Sequence, residues 1–411
     1  MKFRNITKTF FSLSFSEWLL LIFPFFSVFG SALVNLLLII SSIYFIYFLV
    51  RFKAYGYLKL NWIYFYFIFF LYIICTSFFA TNYIHALQSS FSQIRFLLFS
   101  LFIYLCIPHL KNIDLIIKTW LLLILFIAFD TLIQFYFGHD IFGIKSSAYP
   151  MRLSGPFGEE LVIGAFISIM SVPLISYFLE KNKNFNFKFI LFFLIYFFFI
   201  IILALSGERL SFIIFLFSTF IILTLNYNLK KILTILVFLI FLLGVIYTSN
   251  KQVKSRVDDF NNIINNFYES SYGRLYESSF LLFKKNYVFG VGLKNYRYDC
   301  DNQTDPRPNN IYQFCSTHPH NFYLEILVET GLIGSTLLLL SIITLLVYLY
   351  KKIIYLKNKH NNYLSLLYGN IIIIVVYIFP LKTSGSFFTT WNASFFWLNV
   401  GMALLLTRQD K

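Results

Sequence analysis

Two histidines stand close together in Thr317-His318-Pro319-His320-Asn321, just ahead of an apolar run that carries Glu325, Glu329, Gly331 and Gly334. An imidazole has an ordinary pKa of about 6.5, so a histidine beside a cavity suits a general base acting on a hydroxyl. The same spacing fits interfacial histidines bonded to loop backbone, and spacing does not separate the two readings. The pair does not form the His-Glu-x-x-His zinc pattern, and two imidazoles alone make a poor metal site. Asn321, Glu325 and Glu329 are four residues apart and share one helix face, which must line a cavity or a protein contact.

Arginines add a second chemistry. Arg209 closes Gly207-Glu208-Arg209, Arg274 closes Ser271-Tyr272-Gly273-Arg274, Arg152 opens Arg-Leu-Ser-Gly-Pro-Phe-Gly, and Arg95 stands at the start of an apolar run. Lysine would serve for topology, whereas the planar guanidinium fork suits bidentate phosphate, including a lipid-borne pyrophosphate at a membrane surface. The competing reading pairs each arginine with a nearby carboxylate such as Glu208 or Glu277. With Asp130, Glu159 and Glu160, these residues make a short set of ionisable groups at the ends of apolar runs. Asp299-Cys300-Asp301 has the Asp-x-Asp form of metal-dependent sugar transferases, but two carboxylates around a cysteine also read as a solvated loop.

The elements that position these groups follow from composition. Of 411 residues, 59% are hydrophobic and 12% charged, far from a soluble globular chain and in the range of an integral membrane protein. Apolar runs over 17–30, 33–50, 60–79, 91–108, 115–137, 160–179, 188–205, 210–226, 232–248, 322–350, 363–381 and 388–407 predict an all-α protein of about twelve transmembrane helices. Lys2, Arg4 and Lys8 before the first run have the look of a signal peptide, but no small-residue cleavage site follows. The short segments of one side carry 19 basic residues and those of the other only four, which predicts that both termini are cytoplasmic. The net charge of +15 is then a topology signal and not one for nucleic acid. The organisation predicted is 1–248 with nine helices, a 73-residue outer loop over 249–321, and 322–411 with three. Val253, Val257, Phe260, Ile263, Ile264 and Phe267 recur at helical spacing, so the loop opens with an amphipathic helix on the membrane or the bundle. Cys75 and Cys106 fall in predicted spans. Cys300 and Cys315, separated by a stretch with Pro306 and Pro308, are expected to form a disulfide if the loop faces an oxidising compartment.

His320-Asn321, nine residues, then Gly331-Leu332-Ile333-Gly334 resembles the signature of bacterial O-antigen ligases and the related O-antigen polymerases and pilin O-oligosaccharyltransferases. His318 to Asn321, Gly207-x-Arg209, Gly273-Arg274 followed by Asn286-x-x-x-Gly290-x-Gly292, and Arg152-Leu-Ser-Gly extend the resemblance over about residues 90 to 345. What it implies is a GT-C-type glycosyltransferase of the bacterial inner membrane, with its active site facing the periplasm and its long loop between helices nine and ten. The donor implied is a glycan on undecaprenyl pyrophosphate, the acceptor lipid A-core or another glycan, and the surroundings membrane lipid, with no nucleic acid, cofactor or metal. By the same resemblance His320 is the base, Arg209 and Arg274 clamp the pyrophosphate, and Arg152, His318, Asn321 and Arg95 orient substrate. Backside displacement of the pyrophosphate implies inversion. Transfer of an assembled polysaccharide to lipid A-core is the leading reading, joining of repeat units on the same carrier the alternative. A lipid-linked oligosaccharide flippase is the reading from outside the class; it would favour internal repeats, which the chain lacks.

Overall fold

The computed structural model describes residues 12–108, 110–181, 187–301, 314–358, 363–380, 382 and 385–408. Lys2, Arg4, Lys8, Pro306 and Pro308, and the side chain of Asp301, lie outside the described residues. Among those described, the chain forms sixteen α-helices. In order they are α1 (Phe15–Val28), α2 (Ser31–Arg51), α3 (Asn61–Ser77), α4 (Tyr83–Ser92), α5 (Ile94–Cys106), α6 (Ile113–Phe137), α7 (Ile163–Lys181) and α8 (Phe187–Ser206). They continue with α9 (Arg209–Asn226), α10 (Leu229–Ser249), α11 (Lys251–Asn265), α12 (Ser271–Lys285), α13 (Tyr296–Asp301), α14 (Phe322–Lys357), α15 (Leu364–Tyr377) and α16 (Thr390–Leu406).

The all-α class holds, but the count of about twelve spans is corrected. Among the described residues, seven helices are long and apolar enough to cross a membrane: α2, Tyr83–Cys106 (α4 and α5 together), α6, α7, α9, α10 and α14. Four further apolar helices are shorter, Phe15–Val28, Asn61–Ser77, Ile190–Ser206 and Leu364–Tyr377. The physical reason is that an apolar run also counts residues that are not helical. The run over 363–381 yields only α15, with 14 residues. That helix is about 21 Å long at 1.5 Å per residue, against a hydrocarbon layer of about 30 Å. With the count, the GT-C-type assignment and a position between helices nine and ten fall away. The segment expected there lies between α10 and α14.

Burial separates the helices into core and periphery. From Ala393 to Leu406 every residue of α16 is buried, so protein surrounds this helix on all sides. Phe395 takes Phe23 of α1 and Phe166 of α7 edge-on at ring-centre distances of 5.3 and 5.9 Å. α10 is the opposite case: Ile232 is its one buried residue, and Val237, Ile240 and Phe241 present their side chains outward, as a lipid-facing helix must.

The segment between α10 and α14 has a small core of its own. Leu275 and Leu282 of α12, Val291, Tyr296 and Cys300 pack with Val328 of α14. A disulfide joins Cys300 to Cys315, with the Cα atoms 5.8 Å apart. This ties the stretch leading into α14 to α13.

α14 itself is broken at Gly331 (φ 63°, ψ −171°). A break of this kind leaves carbonyl and N–H groups without helical partners, and each must be satisfied if buried. The carbonyls of Val328 and Glu329 accept from the N–H groups of Val291 and Gly292 at 2.9 and 3.0 Å, and that of Thr330 accepts from the Tyr72 hydroxyl at 2.9 Å. The Leu332 and Ile333 N–H groups donate to the Tyr287 and Val288 carbonyls at 2.9 and 3.4 Å. So close an approach of two backbones leaves no space for a side chain. A Cβ on Gly331 would lie 2.2 Å from the Val288 oxygen, and one on Gly290 2.6 Å from the Glu329 carbonyl.

Candidate active site

His320 is held just ahead of the first half of α14. It has a left-handed backbone (φ 54°), uncommon for a residue with a side chain. Its Nε2 lies 3.3 Å from Ser316 Oγ, its ring centre 4.0 Å from that of His318, and 6.3 Å from Tyr272 edge-to-face. His318 Nδ1 is 2.9 Å from Thr317 Oγ1. Both imidazoles are half-buried.

Asn321 caps the helix that follows it. Its Oδ1 accepts from the N–H groups of Tyr323 and Leu324 at 3.0 and 3.2 Å, capping α14. Its Nδ2 donates to the Pro380 carbonyl at 2.8 Å. Tyr276 bonds the same side chain, and burial raises the Tyr276 phenol against the lowering effect of that bond. Tyr272 and Tyr276 are one turn apart on α12, and that face meets His320 and Asn321. Arg274, between them in sequence, lies half-buried with its guanidinium carbon 5.9 Å from the Phe314 ring. Its Nε is buried, with no hydrogen-bond partner among the described residues.

The other arginines gather at the top of α9. Arg209 is the first residue of that helix, where a cation adds to the positive end of the helix dipole and so favours an incoming anion. It pairs with Asp259 of α11 at 3.5 Å, both partly exposed, and not with Glu208. Glu208 turns away and accepts from the N–H groups of Gly164 and Ala165 at the start of α7, at 2.7 and 3.0 Å, and from Ser211 Oγ at 3.0 Å. Burial raises its carboxyl above the ordinary range, opposed by those bonds and by Arg152. Arg152 donates to the Leu161 carbonyl at 2.9 Å, and its buried Nε has no hydrogen-bond partner among the described residues.

Arg256 is a functional candidate that the sequence reading passed over. It is buried and donates to the carbonyls of Leu205 at 3.1 Å and Pro150 at 3.0 Å. Burial, then Arg209 and Arg152 nearby, push its guanidinium below the usual arginine range. Its signal was available: it falls three residues after Val253 and four before Phe260, a charge inside the apolar stripe of α11.

Arg95 goes elsewhere. Its NH2 donates to Thr390 Oγ1 at 3.2 Å and its guanidinium lies 4.7 Å from the Phe96 ring, inside the bundle. Asp130 accepts from the Ile141 N–H at 2.8 Å and organises the loop after α6. Asp299 accepts from Thr81 Oγ1 at 2.6 Å, and burial raises its carboxyl. No group of three His, Cys, Asp or Glu side chains is placed to hold a metal ion among the described residues.

The shared face of Asn321, Glu325 and Glu329 makes a protein contact. Glu325 Oε2 accepts from the Phe387 N–H at 2.8 Å, its Oε1 accepts from the Ser386 hydroxyl, and Lys294 Nζ lies 3.8 Å away. Glu329 Oε2 accepts from the Lys294 N–H at 2.9 Å. Lys294 and Ser386 were not among the residues singled out from sequence.

A polytopic membrane protein with a histidine in a strained turn and arginines on the adjoining helices is the class that fold and site define. Residues 192–339, from α8 to the middle of α14, match the family described as O-Antigen ligase, Wzy_C. Function of the O-antigen ligase and polymerase type is supported at that level, and with it transferase activity. No curated protein matches the chain.

Proposed function

We propose that this protein is an O-antigen ligase that moves an assembled polysaccharide from undecaprenyl pyrophosphate to lipid A-core, with its active site on the periplasmic side of the inner membrane and both termini in the cytoplasm. The observation that carries the reading is that His320, Arg209 and Arg274 all fall inside the family-matched stretch, with His320 held in a left-handed turn against the helix that carries Arg274. His320 removes the proton from the acceptor hydroxyl while the acceptor oxygen attacks the anomeric carbon. Pyrophosphate leaves from the opposite face, so the configuration inverts. Arg209 and Arg274 neutralise the leaving group, and fixed guanidinium groups can do this without a divalent ion. Arg152 and His318 contribute orientation from the rims of the two groups.

His320→Ala should abolish glycan transfer with membrane insertion intact, since a positioned base contributes about 10²–10⁴-fold; near-normal transfer would sink the assignment. The surface glycans of a deletion strain decide the acceptor. Loss of a ligase leaves unmodified core while lipid-linked polymer accumulates. Core carrying a single repeat unit would instead identify a polymerase.

A further inference from the structure

Nothing in the reaction described above uses Lys294, Glu325 or Ser386, yet all three are buried. The side chains of Lys294 and Glu325 are 8% and 1% exposed, and Ser386 is 2% exposed. An ammonium only donates, so the Ser386 hydroxyl accepts from Lys294 and donates onward to Glu325. The chain of bonds therefore runs in one direction, Lys294 to Ser386 to Glu325, with the Phe387 N–H closing on the second carboxylate oxygen.

Three separate segments meet at this point. Lys294 belongs to the turn after Gly290 and Gly292, Glu325 to the first turn of α14, and Ser386 to the stretch that enters α16. The break at Gly331 cuts residues 322–330 off from the rest of α14, so the membrane-crossing part of that helix does not by itself fix where His320 sits. The half-helix is fixed from its sides: by Glu325, by the Lys294 N–H on Glu329, by Asn321 on Pro380, and by the Tyr323 hydroxyl on the Ile378 carbonyl at 2.9 Å.

We propose that the Lys294–Ser386–Glu325 chain is a positioning clamp for His320, holding the half-helix in the place where the imidazole meets the acceptor hydroxyl. This rests on the reading of His320 as the base. The three are positioning residues, since none touches the reacting atoms. Buried charge is a costly way to hold a segment unless it fixes a single arrangement, a use attested for buried polar groups elsewhere.

The test uses the full chain purified in detergent, a synthetic undecaprenyl-pyrophosphate-linked oligosaccharide as donor and lipid A-core as acceptor. Glu325→Gln and Ser386→Ala should each lower kcat about 10–100-fold, the scale of an ångström-level misplacement, with KM for the donor within about twofold of wild type. Ser386→Thr, which keeps the hydroxyl, should recover most of that loss. Should Glu325→Gln fail to fold, Ser386→Ala alone decides. Unchanged kcat in Ser386→Ala, or a loss confined to KM, overturns the clamp. His320→Ala is assayed beside them: if it transfers normally the underlying reading fails and the clamp with it, whereas an inactive His320→Ala with a normal Ser386→Ala defeats the clamp alone.

Discussion

Gly290→Ala puts the backbone contact at the helix break to a quantitative test. Gly290 has φ 74°, and a Cβ built on it meets the carbonyl carbon and oxygen of Glu329 and the nitrogen of Gly331, all at 2.6 Å. Ordinary contact begins at 3.4 Å, so the half-helix or the loop must retreat by about 0.8 Å. Those neighbours are backbone and cannot swing aside. The left-handed conformation costs about 1–2 kcal/mol for a residue with a side chain, and overpacking adds about 1–3 kcal/mol. A loss of about 2–5 kcal/mol is expected. The retreat also stretches the bonds from Val291 and Gly292 to Val328 and Glu329, on the half-helix that carries His320, and a shift near 1 Å costs up to about 10²-fold in rate. Two controls separate the contributions. Gly143 has φ 82° and open space around its Cβ, so Gly143→Ala pays the conformational cost alone, about 1–2 kcal/mol. Gly244, inside α10 with nothing within 4 Å, should gain about 0.5–1 kcal/mol as Ala. Thermal unfolding of the detergent-solubilised chain and initial transfer rates measure both effects. If Gly290→Ala is no less stable than Gly143→Ala and transfers at the wild-type rate, the backbone contact does not hold the half-helix.

Arg274→Lys should lower transfer substantially, because a point charge does not reproduce a bidentate contact with phosphate; an unimpaired variant would assign Arg274 to structure. Cys300→Ser opens a loop whose cysteines are separated by 15 positions, worth about 3 kcal/mol on a chain-entropy estimate; free alkylation of both cysteines in unreduced, denatured wild type would show that no bridge exists. Asn321→Ala removes the cap of α14 and should cost about 1 kcal/mol by thermal unfolding, with wild-type stability refuting the cap. Because burial raises the Glu208 carboxyl, its contribution to stability is present below the ordinary carboxylate pKa and is lost as pH rises through the raised folded value. Wild-type stability should therefore decline across that window, and Glu208→Gln should remove the decline; an identical slope in both proteins would show that Glu208 titrates normally.

Much of the frame was legible because hydrophobicity is a sum over neighbours in sequence. The apolar runs, the amphipathic helix after Ser249 and the segment leading to His320 all follow from local pattern. What the pattern could not supply was where helices stop, since the end of α15 and the break at Gly331 interrupt hydrogen bonding without interrupting hydropathy. That is why α15 came out too short for a span and why α14 holds two pieces. Shared helix faces were legible too: Asn321, Glu325 and Glu329 do fall together. Their partners were not, because Lys294 and Ser386 lie 31 residues before and 61 residues after Glu325, and nothing local to either announces the meeting. Arg209 shows the same limit, its carboxylate being Asp259 of another helix and not the adjacent Glu208.

Arg256 and Arg209 differ in how firmly they are held, and that difference bears on the roles proposed for them. Arg256 is buried and tied by its guanidinium to the last turn of α8, so it can fix α11 but has little freedom to follow a substrate. Arg209 has only a partly exposed ion pair, of a kind worth about 0–1 kcal/mol. A pyrophosphate carries more charge than a single carboxylate and accepts in the bidentate geometry that guanidinium favours. On the function proposed here, Asp259 is a partner that an arriving phosphate displaces, while Arg256 keeps α11, which carries Asp259, in place. The leaving-group role proposed for Arg209 needs a cation whose resting partner costs little to exchange.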